Sequence, residues 1–334
     1  MRDVIVPLAV DMALPPGGST LCLLAGQAMG TGWSARLMLP PGAEAALLER
    51  ALQAELDDIV AQMSHWDRDS LLSRYNNAPA GSWHALPAQF YDVAEYTLGL
   101  AIEADGAYDP AAGELVTVWG FGPRSRFDQA GFYAPDRLTI DALLTRRAAR
   151  QPELDRVKRR LLQPGGALLD FSSVAKGYAV DRMAACLEAR SVRHFVVEAG
   201  GELRGAGVKA NGEPWWVEVE GVPGADGGQA VVALHGLAIA TSGDYRQYFQ
   251  HGARRAAHTL DPRSGAPVAN DVASVTVLAS TCMAADALST ALTVMGVPDG
   301  VAFADARGIA ARFLERQPQG LRETVTRAWR AMRQ

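Results

Sequence analysis

The sequence predicts an α+β fold built from two interleaved subdomains. Strand-like stretches follow one another in antiparallel-looking runs, with helices interspersed among them rather than alternating one for one. The chain has 334 residues, enough for one large domain or two intimate ones. No Pro/Ser-rich linker divides it.

The elements are read in chain order. Residues 19–39 alternate as paired strands do, interrupted at Met29-Gly30-Thr31-Gly32. Residues 43–63 carry Ala46, Leu47, Ala51, Leu52, Leu56, Ile59, Val60 and Met63 at helical spacing. A second helix is expected over 88–104, ending at Asp105-Gly106. Residues 120–150, rich in Gly, Pro and Arg, are an excursion with a short helix from about 139. A short strand is expected at 167–171, then a helix to about Arg190 with Ser172-Ser173 at its N-cap. Strands near 194–198, 215–220, 229–234, 237–241, 256–260 and 272–279 follow. Helices are expected over the segment that holds Asp286 and near 298–306, then a strand at 309–314 and a C-terminal helix at 321–332.

Composition narrows the function classes. Hydrophobic residues at 49% and charged residues at 21% are ordinary for a soluble globular chain. Lys+Arg 32 against Asp+Glu 37 leaves a net charge of −5, which argues against a general nucleic-acid binder. No uninterrupted apolar run approaches membrane-spanning length, so no span is expected. Cys22, Cys186 and Cys282 have neither disulfide nor zinc spacing, and Cys186 and Cys282 are read as core residues. Met1-Arg2-Asp3 and the Pro15-Pro16-Gly17-Gly18 turn do not make a signal peptide. The expected compartment is the cytoplasm, or the periplasm if an export segment has been removed.

Several segments can carry chemistry. In Thr281-Cys-Met-Ala-Ala-Asp-Ala-Leu-Ser-Thr290, Asp286 and Thr290 stand at i and i+4 on one helical face. A carboxylate and a hydroxyl so stacked are hard oxygen donors suited to Mg²⁺ or Ca²⁺, although such pairs are also common helix surface. Leu169-Asp-Phe-Ser-Ser-Val-Ala-Lys-Gly-Tyr178 reads as a strand turning into a helix. Its N–H groups and dipole would seat a phosphate, with Lys176 in reach and Asp170 accepting from a ligand hydroxyl or ring N–H. The alternative is a plain N-cap beside a solvated lysine. Glu198-Ala-Gly-Gly-Glu202 is a tight turn or a point of close ligand approach. Thr241-Ser-Gly-Asp-Tyr245 is an anion-holding turn, or Asp244 caps a helix. In His258-Thr-Leu-Asp-Pro-Arg-Ser-Gly265, a histidine near a carboxylate can serve as a general base. His65, His84, His194, His235 and His251 have no ligand spacing and are read as ordinary. Walker and dinucleotide fingerprints are absent.

Taken together these segments resemble the FAD:protein FMN transferase family, also called the ApbE family, from about Met29 to Gly296. The marks are Met29-Gly-Thr31, Met63-Ser-His-Trp-Asp67 leading to Ser73-Arg-Tyr-Asn76, Gly106-Ala-Tyr-Asp-Pro110 and Val118-Trp-Gly-Phe-Gly122. Asp170 through Asp181, Gly200-Gly201, Thr241 through Tyr245, His258 through Pro267 and Ala285 through Thr290 complete the set. Each is short, but nine occur in the family's order.

The resemblance implies a T-fold-like α+β architecture, a single domain over 19–334 after a short extension at 1–18, and FAD between the subdomains. It implies that FAD is cleaved, FMN passes to a Thr or Ser hydroxyl of an acceptor flavoprotein, and AMP leaves. A Mg²⁺ site carries over onto Asp286, Thr290 and the main-chain oxygen of Ser173. FAD contacts carry over onto Met29, Trp66, Ala107, Tyr108, Asp109, Asp170, Lys176 and Leu260, with His258 the base for the acceptor hydroxyl and Asp286 essential to catalysis. This chain has Ser172-Ser173 where relatives usually carry small residues, and Glu202 where they usually carry Asp. No lipobox-like start is present. A pyrophosphatase releasing FMN and AMP to water would use the same residues, and a non-catalytic flavin-binding protein is the third reading.

Overall fold

The computed structural model describes residues 3–10, 13–225, 229–252 and 254–334. The chain forms two compact units, each gathered from separated stretches. The first comprises Met1–Asp58, Val174–Gly243 and Asp271–Gln334; the second comprises Ile59–Ser173 and Asp244–Asn270. Among the described residues, no helix is long and apolar enough to cross a membrane.

The first unit is organised by an eight-stranded sheet with every neighbouring pair antiparallel. Its order is Gly320–Val325, Ala310–Gln317, Val272–Ala279, Leu237–Gly243, Glu202–Ala206, Phe195–Ala199, Thr31–Leu39 and Thr20–Ala28. The helices Ala175–Ala189 and Cys282–Met295 pack on each other and on the central strands. On the opposite face Met38, Val196, Ile239 and Leu278 meet Trp215, Val232, Leu234 and Trp329 in one apolar core. Both faces of the central strands are therefore dry. That explains why Val272–Ala279 is almost continuously buried instead of alternating. A three-stranded sheet closes this core: Ala230–Leu234 pairs in parallel with Asp3–Ile5 and antiparallel with Trp215–Glu218. Asp3–Ile5 lies in the stretch expected as an N-terminal extension, yet Ile5 is fully buried in the core.

In the second unit Ser82–Ala85, Arg160–Gln163 and Glu153–Asp155 form a three-stranded antiparallel sheet. Around it run the helices Leu71–Asn76, Ala88–Glu103, Gly113–Val118 and Arg137–Ala148. Leu115, Trp119, Phe121, Ile140, Leu143 and Leu260 belong to one of its apolar clusters. The indole of Trp119 donates to the Gly265 carbonyl at 2.8 Å. A hairpin, Tyr248–His251 with Arg254–Ala257, sets Phe249 against Phe127, Phe121 and Trp119.

Most expected elements are present, and the exceptions have identifiable causes. The 43–63 helix is Ala45–Met63, but Leu48 rather than Leu47 faces the core. The 167–171 strand does not form; Leu168 makes a single bridge to Ala112. The Asn76 side chain instead satisfies the Leu169 N–H and C=O, at 2.8 and 2.9 Å, and the Asp170 N–H donates to Pro110 at 2.8 Å. Thr241-Ser242-Gly243 is not a turn but the end of a strand, opposite Thr276, Val275 and Ser274. Asp244 caps no helix, because the chain turns there into the hairpin. The expected helix over 321–332 is mostly the strand Gly320–Val325, with only Arg327–Ala331 helical. An open edge at Ala310–Gln317 captures this segment through a short turn, and pairing outweighs weak local helix preference.

Candidate active site

In the first unit the candidate residues lie where two helices touch. Asp286 is buried, and its Oδ2 accepts from the Gly177 N–H at 3.0 Å. Gly177 is the third residue of the helix Ala175–Ala189, where N–H groups have no partner inside the helix. Asp286 thus supplies what an N-cap side chain would. The expected serine cap does not form: Val174 holds the cap position with no side-chain bond, and Ser172 bonds to Asp170 instead. A carboxylate at this terminus also meets the positive end of the helix dipole. The approach needs a glycine. A Cβ on residue 177 would collide with the Cys282 carbonyl and stand 2.7 Å from the Asp286 Cβ.

One turn beyond Asp286, Thr290 Oγ1 lies 3.1 Å from Ser242 Oγ, which also lies 2.7 Å from Ser289 Oγ. The helix carrying both candidate cation ligands is fixed at its start by Asp181. That carboxylate accepts from the Cys282 and Met283 N–H groups, each at 2.9 Å, while Thr281 caps Ala284. Burial, and then the neighbouring carboxylates, push the Cys282 thiol well above its usual range, so it stays protonated and inert. The ammonium of Lys176 pairs with Glu202. Glu202 follows the Gly200-Gly201 turn, where both glycines have positive φ. Met29, with φ of 54°, and Gly30, with φ of 73°, form the two-residue turn between the first two strands of the large sheet. A methionine in that left-handed region is strained.

The second unit holds the other expected residues. Asp170 Oδ1 accepts from the Ser172 N–H at 2.8 Å and from the Ser172 hydroxyl, and lies 3.4 Å from His65 Nδ1. Burial works to raise the Asp170 pKa, but the His65 charge and the hydrogen bonds outweigh it and hold the carboxyl down at about 2. For His65, burial pulls downward and the Asp170 charge and hydrogen bond win, so the imidazolium is favoured. Trp66 is 53% exposed, with the Arg126 guanidinium 5.4 Å above its ring. Ala107 and Tyr108 are buried, and the Ser173 hydroxyl donates to the Tyr108 hydroxyl at 3.1 Å. Ser173 is the last residue before Val174, where the chain enters the helix of Gly177. Asp109 is engaged at both oxygens, by the Ala111 N–H at 2.7 Å and by Arg147. Arg147 also reaches the Pro262 carbonyl at 3.0 Å and so ties the 107–111 loop to the turn after Leu260.

His258 lies just past the hairpin. Its N–H donates to the Gln247 carbonyl at 3.0 Å, and its Nδ1 is 3.2 Å from the same oxygen. A carbonyl only accepts, so Nδ1 carries a proton, and in its neutral form the ring has its lone pair on Nε2. The nearby Asp261 is held by Arg263 through two side-chain bonds, at 2.9 and 3.0 Å. The histidine is thus oriented by a main-chain carbonyl and the edge of Phe121, 6.3 Å between ring centroids.

The structure gathers Asp286, Thr290 and Lys176 in one unit, with Met29 at a hairpin of the same unit. It gathers Trp66, Tyr108, Asp109, Asp170, Ser173, His258 and Leu260 in the other. Sequence reasoning read His65 as ordinary, named Glu202 at the end of the Gly-Gly turn without its partner, and did not single out Arg147; these three are the partners of Asp170, Lys176 and Asp109. No local spacing reveals them, since each meets its partner only through the fold.

Comparison with known proteins agrees across nearly the whole chain. Residues 29–313 match the ApbE family. The FAD:protein FMN transferase of Vibrio cholerae is 34% identical over 92% of this chain and 91% of its own, and that of Haemophilus influenzae is 32% identical over 95% and 93%. The crystal structure of the Pseudomonas stutzeri flavinyl transferase ApbE superposes with a TM-score of 0.86 at 35% identity, covering 94% of this chain and 97% of that one. With fold and sequence alike over that span, the chain belongs to the ApbE family.

Proposed function

We propose that this protein is an FAD:protein FMN transferase that uses a divalent cation, Mg²⁺ first, and an acceptor flavoprotein. What supports the cation most is the Asp286–Gly177 contact. It fixes a carboxylate one turn before Thr290 and holds it by a backbone N–H, as the oxygens of ligating carboxylates commonly are. The donors fit a hard cation: a carboxylate, a hydroxyl and the proposed Ser173 main-chain oxygen, while the adjacent thiol is protonated. Among the described residues no group of three or more His, Cys, Asp or Glu gathers. Mg²⁺ keeps waters and substrate phosphate oxygens in its shell, so it needs few protein ligands.

A bound cation would neutralise charge on the FAD diphosphate. The chain's own residues do the rest. Asp286 and Thr290 would hold the ion, and Lys176, drawn to Glu202 in the structure, would offer a cationic donor to a phosphate oxygen. His258 Nε2 takes the proton of the acceptor hydroxyl, a step typically worth about 10²–10⁴-fold. The hydroxyl oxygen bonds to the FMN phosphorus, the diphosphate P–O bond breaks, and AMP departs. Met29, Trp66, Ala107, Tyr108, Asp109, Asp170 and Leu260 are assigned to holding FAD.

Incubation with FAD, Mg²⁺ and a flavoprotein acceptor is expected to give a fluorescent protein band that survives denaturation. Asp286→Ala is expected to abolish the band. Wild-type rates in that variant would remove the cation assignment. Rapid AMP release without an acceptor would replace transfer with hydrolysis.

A further inference from the structure

The described residues engage only one oxygen of the Asp170 carboxylate. Every contact from the described residues converges on Oδ1: the Ser172 N–H, the Ser172 hydroxyl and His65 Nδ1. Oδ2 has no partner among the described residues and is not among the buried polar atoms. The backbone beneath is pinned as well, by Asn76 on both sides of the Leu169 peptide and by the Pro110 carbonyl at the Asp170 N–H. The carboxylate is clamped at one end and presents the other.

His65 shows what the clamp is for. Its side chain is 15% exposed, and its Nε2 is sealed from solvent without a partner. A buried ring nitrogen left unpaired is disfavoured. An imidazole here is explained by its Nδ1 contact rather than by its own satisfaction. An aspartate carboxylate otherwise turns easily about its last torsion, so holding Oδ1 in place is what aims Oδ2.

We infer that His65 is a positioning residue which, with Ser172, immobilises Asp170 so that Oδ2 accepts one N–H or O–H of the flavin nucleotide. The inference rests on the FAD-dependent function proposed above and adds a specificity device to it. A nucleotide lacking a donor at that point leaves a charged acceptor unmatched, and sites built in this way reject such ligands strongly.

The test combines FAD titration, followed by flavin fluorescence, with transfer kinetics. His65→Phe is expected to raise the FAD Kd and KM about 10- to 100-fold, the range for a hydrogen bond to a charged group, with kcat within about twofold. His65→Asn keeps an N–H close to the Nδ1 position and is expected to recover most of the affinity. With Asp170→Asn already present, His65→Phe is expected to add nothing, because it acts through that carboxylate. If the phenylalanine variant does not fold, His65→Gln, which lacks the donor at that position, is expected to give the same rise in KM. Unchanged FAD affinity in the His65 variants, additive effects in the double variant, or a fall in kcat alone would overturn the inference. His65 variants that bind FAD and transfer FMN like the wild type remove only this inference. Wild-type protein that transfers no FMN to any acceptor removes the function itself.

Discussion

Two carboxylates, one buried and one partly exposed, are held in opposite ways. Asp286, in the first unit, is fixed by a backbone N–H at a helix start and by a glycine that lets two helices meet. Asp170, in the second unit, is fixed by side chains, an imidazole and a hydroxyl, with one N–H from its own loop. The first arrangement is set by backbone geometry. The second depends on a charge that comes and goes with pH. A rigid mount suits the cation-ligand role proposed for Asp286, whereas a side-chain clamp suits the recognition role proposed for Asp170.

The largest effect that separates the two mounts is expected at Gly177. Gly177→Ala forces a methyl group against the Cys282 carbonyl and the Asp286 Cβ, so the two helices must part. Overpacking of this kind typically costs about 1–3 kcal/mol, and loss of the Asp286 bond adds to it. A clear drop in melting temperature together with loss of FMN transfer is expected. A variant as stable and active as wild type would show that the helix contact does not fix Asp286.

The Asp170 mount is expected to be smaller in effect and dependent on pH. His65 is raised above its ordinary 6.5, so its stabilisation is complete below that value and is lost as pH rises through the raised pKa. Asp170 is lowered from 3.8 to about 2, so its stabilisation is complete above 3.8 and is lost as pH falls through about 2. The pair therefore stabilises most between these ordinary values. The Asp170 shift corresponds to about 2 kcal/mol. The stability gap between wild type and His65→Phe, from denaturant melts, should be widest near pH 5 and narrow in alkali. A gap that is flat with pH would mean the pair is not ionic.

The smallest effect is expected at Ser242, whose hydroxyl joins Ser289 and Thr290. Ser242→Ala removes neutral hydrogen bonds worth about 1 kcal/mol and leaves Asp286 untouched. A modest loss of stability, with somewhat weaker activation by Mg²⁺, is expected from melting and metal titration. A loss of transfer as complete as in Asp286→Ala would make Ser242 part of the proposed cation site.

Much of the first unit could be read from local pattern. The 43–63 stripe, the 272–279 strand and the helix of Asp286 each declare themselves within a few turns of chain. The i, i+4 spacing of Asp286 and Thr290 is likewise a local property. The second unit was harder to read. Leu71–Asn76, Gly113–Val118 and the strands at 82–85, 153–155 and 160–163 are too short for periodicity to register. The Ser172-Ser173 pair looked like a helix cap, but the cap came from Asp286, far along the chain.

By itself the sequence determined the α+β class, the longer helices and strands, and the short motifs that mark the family, because each is written in residues close together. Only the tertiary structure decided what those motifs touch. It brought Gly177 to Asp286, Glu202 to Lys176, Arg147 to Asp109 and His65 to Asp170. Backbone periodicity is enforced by neighbours, whereas a buried polar partner is selected by whatever the folded chain places within hydrogen-bond reach.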